Sequence, residues 1–154
     1  NDIPLLGLCL GGQLIAHTLG AKVGPHDAGL HEFGYYPIRS VDTTENFLSG
    51  ELYVMQCHYH GFELPEGARL LAQGNSYPNQ AFAFGENAYG LQFHPECTLT
   101  TLQRWQTSDW APWGRPGAQT KEQQDTLATL HDGPMHDWFL NFLEKLFEPP
   151  QVRS

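Results

Sequence analysis

The chain has 154 residues, the size of one domain with a sizeable core, and its 40% hydrophobic and 16% charged content excludes a disordered polymer. Eight Lys and Arg stand against 17 Asp and Glu, a net charge of −9, which excludes a nucleic-acid backbone as the natural partner. Three cysteines are an odd number, so no disulfide framework is expected and a reducing, cytoplasmic setting fits; no apolar run approaches the ~20 residues of a membrane-spanning helix.

In chain order, the first element is the apolar run Leu5-Leu6-Gly7-Leu8, which reads as a short strand. Cys9 follows among Gly7, Gly11 and Gly12, and residues 13–19 read as a helix closed by Gly20 in the C-terminal cap. A strand that turns tightly into a helix presents one side chain at the top of a sheet, and the glycines are expected to permit the strained turn. The sulfur then sits near the positive end of a helix, a setting that favours the thiolate. Residues 21–23 predict a short extended piece broken by Gly24 and Pro25. Residues 33–41 have the aromatic and β-branched content of a strand, with Pro37 pointing to a sheet edge.

Residues 52–57 predict a further strand running into a polar, aromatic loop, residues 58–65. Residues 70–72, 80–84 and 88–93 are three more strand candidates, the last leading straight into His94-Pro95-Glu96. Beyond it, residues 99–107 and 121–130 read as helices separated by a Pro, Gly and Trp-rich connection. In residues 135–147, Trp138, Phe139, Phe142, Leu143, Leu146 and Phe147 recur at helical spacing, one face for the core. Strands in the middle and helices at the end predict a single α/β domain over residues 1–154.

Amide hydrolysis by a thiol requires a sulfur nucleophile, a base, a group that orients the base, and donors for the oxyanion. Cys9 supplies the sulfur. His94 ends an apparent strand, and Glu96 two residues on shares its face in an extended segment, which Pro95 favours. The Leu10 amide, next after the nucleophile, is the first oxyanion donor.

Gly7-Leu8-Cys9-Leu10-Gly11-Gly12-Gln13, followed 85 residues after Cys9 by His94 in Phe93-His94-Pro95-Glu96, resembles the paired signature of the class I, triad-type glutamine amidotransferases. Glu32-Phe33-Gly34-Tyr35-Tyr36-Pro37-Ile38 is similar to that family's hairpin, and Pro78-Asn79-Gln80-Ala81-Phe82 is most similar to its guanylate-synthetase-like, stand-alone branch. The resemblance runs from Leu5 to Phe147 and does not include the family's opening strands and glycine loop. It implies a three-layer, flavodoxin-like α/β domain with a mixed, mostly parallel sheet. It implies a Cys9, His94 and Glu96 triad, with Gln13 and the loop His60, Gly61 and Phe62 holding the substrate. The implied substrate is glutamine or a γ-glutamyl compound, hydrolysed without cofactor or metal, with ammonia passing to a synthetase partner. Cys57 and Cys97 depart from the family pattern beside the site.

Three other readings attach to the same residues. One is a γ-glutamyl peptidase using the same triad, and another is a non-catalytic module that kept the fold. The third is a zinc site, since Cys57, His58 and His60 with His94 and Cys97 have knuckle-like spacing.

Overall fold

The structure, a computed structural model, describes residues 3–41 and 47–147. The elements are β1 (Leu5–Leu8), α1 (Leu10–Thr18), β2 (Val23–Pro25), β3 (Glu32–Ser40), β4 (Glu51–His58), β5 (His60–Phe62), β6 (Arg69–Gly74), β7 (Ala81–Phe84), β8 (Ala88–Leu91), α2 (Leu99–Gln106) and α3 (Lys121–Phe147).

Six strands form one sheet in the order β1-β8-β7-β6-β3-β4, while β2 and β5 make a separate antiparallel pair. The β7 sequence Ala-Phe-Ala-Phe shows how the sheet is covered on both faces. Ala81 and Ala83 face a large core shared with Tyr35, Met55, Phe93, Leu102 and Met135, the side covered by α2 and α3. Phe82 points the other way, into a smaller cluster with Ala16 of α1 and Phe62 of β5. Alternation along one strand therefore feeds two cores, and the chain forms the three layers expected of it.

The sheet is mixed, but it is not mostly parallel among the described residues. Only β1 and β8 run parallel, and the other neighbouring pairs are antiparallel. The consecutive pairs β3–β4, β6–β7 and β7–β8 return antiparallel through direct connections, β3 and β6 pair antiparallel across the intervening β4 and β5, and the parallel partners β1 and β8 are the first and last strands in the chain.

Pro37 also departs from expectation, because β3 lies between β6 and β4 rather than at an edge. The proline is tolerated by register. Tyr35 pairs with Met55 and turns its N–H away from β4, onto Gln119 Oε1 at 2.9 Å. Two residues on, the Pro37 nitrogen faces the same way, and β6 does not begin pairing until Ile38. Gln119 stands in for the missing strand there, since its Nε2 also donates to the Tyr35 carbonyl at 2.6 Å.

Several boundaries moved; β2, for one, runs through Gly24 and Pro25, the pair expected to break it. Helix α1 starts at Leu10, three residues ahead of the expected start, directly on the Cys9 turn. Within the expected loop, His60–Phe62 forms β5, which pairs with β2 through Gly24 and Pro25. The two expected C-terminal helices are one continuous α3 with Pro134 inside it. Met135 anchors the helix just past the proline: it is fully buried, and its Sδ accepts the Met55 N–H at 3.2 Å.

Candidate active site

Cys9 sits between β1 and α1 with φ 47° and ψ −103°, the one positive-φ residue other than glycine among the described residues. Two bonds hold the turn: Cys9 N–H donates to the Leu91 carbonyl of β8 at 2.8 Å, and the Gln13 N–H donates to the Cys9 carbonyl at 2.9 Å. The glycines act differently from the expectation. A Cβ on Gly7 would lie 2.4 Å from the Gly11 carbonyl carbon, and one on Gly12 2.7 Å from the Leu91 carbonyl oxygen. Both glycines let α1 approach β1 and β8, and the strain itself is carried by Cys9. The Leu10 N–H opens the helix, so it has no partner within the helix and is available at the turn.

His94 follows β8. Its N–H donates to the Met55 carbonyl on the outer edge of β4 at 2.8 Å, although β4 and β8 are far apart in strand order. The first half of β3 is free of β6, so the β3–β4 arm curls back over the end of β8. That curl brings Cys57, His58 and His60 beside Cys9.

The His94 Nδ1 lies 2.7 Å from Glu96 Oε1, which leaves Nε2 for Cys9. Burial pulls the imidazole down, but hydrogen bonding and charge attraction from the Cys9 sulfur and the Glu96 carboxylate outweigh it and raise it to about 9. The ring edge of Trp105 packs against His94, with centroids 5.1 Å apart.

Gln13, from α1, is buried and donates through Nε2 to the His60 carbonyl at 3.0 Å and to Gln92 Oε1 at 3.3 Å. Gln92 was not anticipated. Its Nε2 lies 3.8 Å from the Cys9 sulfur, and it is fully buried at the end of an apolar strand. A polar residue among Tyr89, Leu91 and Phe93 was the signal in the sequence that marked it.

Cys9, Gln13 and His60 line one open cavity of about 710 Å³, together with Cys57, His58 and a wall that includes Trp110, Trp113 and Arg115. Gly61 packs instead against the Tyr77 ring, which a Cβ there would meet at 2.6 Å. The Phe62 side chain points away from the site onto Phe82, with ring centroids 5.2 Å apart.

No group of three His, Cys, Asp or Glu that could hold a metal occurs among the described residues. Burial pushes the Cys57 thiol up to about 12, and the Cys97 thiol as far, so both are neutral. No described helix is long and apolar enough to cross a membrane.

Fold and site define an α/β protein whose strand-to-helix turn presents a cysteine to a carboxylate-paired histidine. Residues 1–107 match the family model "Glutamine amidotransferase class-I". The chain belongs to the class-I glutamine amidotransferase family. It is 43% identical over 101 residues to the glutamine-hydrolyzing GMP synthase of Streptococcus pyogenes serotype M5 (strain Manfredo), a match covering 62% of this chain and 19% of that protein. The chain thus spans about a fifth of the length of the curated relatives it matches. The crystal structure of a glutamine amidotransferase from Thermotoga maritima superposes with TM-score 0.82 at 30% identity, covering 96% of this chain and 64% of that one. A glutamine amidotransferase from Methylobacillus flagellatus, at 21% identity and TM-score 0.79, shares the fold over 99% of this chain and 67% of its own.

Proposed function

We propose that the protein hydrolyses the side-chain carboxamide of glutamine through a γ-glutamyl thioester on Cys9. The observation that carries this reading is the strained Cys9 turn facing a histidine whose other nitrogen is held 2.7 Å from a carboxylate. In the reaction, the Cys9 thiolate adds to the γ-carbonyl while the Leu10 amide donates to the oxyanion. The His94 imidazolium then gives its proton to the departing ammonia. Water, deprotonated by the same imidazole, attacks the thioester and releases glutamate. Glu96 keeps the imidazole oriented and balances its charge. Gln13 and the His60–Gly61 backbone hold the amino-acid end of the substrate. Ammonia passes to a synthetase partner, a role supported by the likeness to glutamine-hydrolyzing GMP synthases.

A second reading, a γ-glutamyl peptidase, is favoured by the exposed Trp110 and Trp113 on the cavity wall, which leave room for a leaving group larger than ammonia.

The test is made on protein expressed from its complete reading frame. Cys9→Ala should abolish both glutaminase turnover and labelling by a glutamine-like electrophile. Labelling at another residue, with Cys9 untouched, would overturn the assignment. Faster turnover of a γ-glutamyl dipeptide than of free glutamine would select the peptidase.

A further inference from the structure

We infer that the buried Glu32–His58 pair is a positioning device that sets the His60 backbone in the substrate site; the inference rests on the glutamine-hydrolysing reading above.

Glu32 opens β3, His58 closes β4, and the two are direct partners in the ladder. Their side chains are each 3% exposed, with His58 Nε2 3.0 Å from Glu32 Oε2. Two buried glutamines complete the enclosure. Gln56 Oε1 lies 3.0 Å from His58 Nε2, and Gln80 Nε2 donates to Glu32 Oε2 at 3.3 Å. The glutamines also bond each other, Gln56 Nε2 to Gln80 Oε1 at 2.7 Å. The Tyr77 ring stands edge-on to His58, centroids 4.6 Å apart.

The other face of the imidazole looks into the site. His58 Nδ1 lies 2.8 Å from the His60 carbonyl, the same oxygen that accepts Gln13 Nε2 at 3.0 Å. A carbonyl oxygen is only an acceptor, so Nδ1 carries a hydrogen and donates to it, while Nε2 on the opposite side faces the Glu32 and Gln56 side chains. From the carboxylate, one continuous line of contacts runs through His58, the His60 carbonyl, Gln13 and Gln92 to the Cys9 sulfur.

Stability alone is a poor account of this arrangement. A carboxyl–imidazole pair removed from water loses to desolvation about what it gains from attraction, and apolar residues of similar volume hold a core equally well. What apolar residues cannot do is aim a carbonyl. Two donors converging on the His60 oxygen fix that peptide plane, and with it the backbone at the mouth of the cavity.

Three readouts on Glu32→Gln, His58→Leu and the E32L/H58L double variant test this. Glutaminase kcat/KM should fall about 10-fold, with KM carrying most of the loss. Alkylation of Cys9 by iodoacetamide, which has no amino-acid end to position, should keep its rate within about twofold. The double variant leaves no unpaired charge, so its melting temperature should recover toward the parent while KM stays high. A KM that recovers with stability, or that never moves in a folded variant, overturns the inference. A parent protein with no glutaminase turnover at all fails the underlying reading instead, and is recognised before any variant is made.

Discussion

At Cys9 the backbone holds φ 47° while neither Gly7, Gly11 nor Gly12 has a positive φ, so three neighbouring glycines answer to different demands. Gly7 and Gly12 meet backbone atoms at 2.4 and 2.7 Å if given a Cβ, whereas Gly11 opens onto empty space. A cysteine in that conformation costs on the order of 1–3 kcal/mol, which the Leu91 and Gln13 backbone bonds help to offset. Gly12→Ala must push α1 off β8 and should destabilise the fold by about 1–3 kcal/mol. Gly11→Ala should change stability by less than about 1 kcal/mol, in the stabilising direction. Urea unfolding midpoints of the two variants decide the matter, and equal losses would show that the glycines are kept for backbone freedom after all.

Helix α3 shows tertiary packing overriding a local signal at the level of an element. A proline in a helix interior removes one hydrogen bond and clashes with the preceding turn, at a cost of ~3 kcal/mol. Gly133, lacking a Cβ, relieves part of that clash with the proline ring. The anchors on either side keep the helix continuous across it. On the near side the buried Gln124 donates to the Phe33 carbonyl at 3.0 Å, and Tyr35 OH donates to Asp132 at 2.9 Å. On the far side Trp138 Nε1 donates to the Phe47 carbonyl at 2.9 Å, beside the buried Met135 and Phe139. Pro134 is itself exposed, so Pro134→Ala should restore the Leu130 bond and stabilise the protein by roughly 1–3 kcal/mol. The midpoint of urea unfolding should rise with its slope unchanged; a fall would mean that a bend at Pro134 is required for the packing.

For the whole molecule, the proton on His94 couples the site to the stability of the fold. The ring stands at about 9 when folded, against an ordinary 6.5. Between those values the folded chain holds a proton that the unfolded chain has released, so stability declines as pH rises. The contribution is complete below 6.5 and is lost as pH passes through about 9. Unfolding free energies measured below and above this window should differ less in His94→Gln than in the parent. An identical pH slope in both would show that Cys9 and Glu96 do not hold the proton.

The sequence by itself determined the β1–Cys9–α1 turn, nearly every strand, and the His94–Glu96 pair, because each depends on neighbours within a few residues. Alternation, glycine spacing and the extension imposed by Pro95 are local, and local rules read them. Only the tertiary structure decided what those pieces meet. The antiparallel majority of the sheet, the pairing of β5 with β2 and the unbroken α3 all follow from contacts between distant segments. The same holds for Gln92 beside Cys9 and for Glu32 beneath His58, 83 and 26 residues apart in the chain. Their polar side chains are legible as letters, but their partners exist only once the β3–β4 arm has curled over the end of β8. A buried polar group is stable only when its hydrogen bonds are met, and here the elements that meet them come from the whole length of the chain.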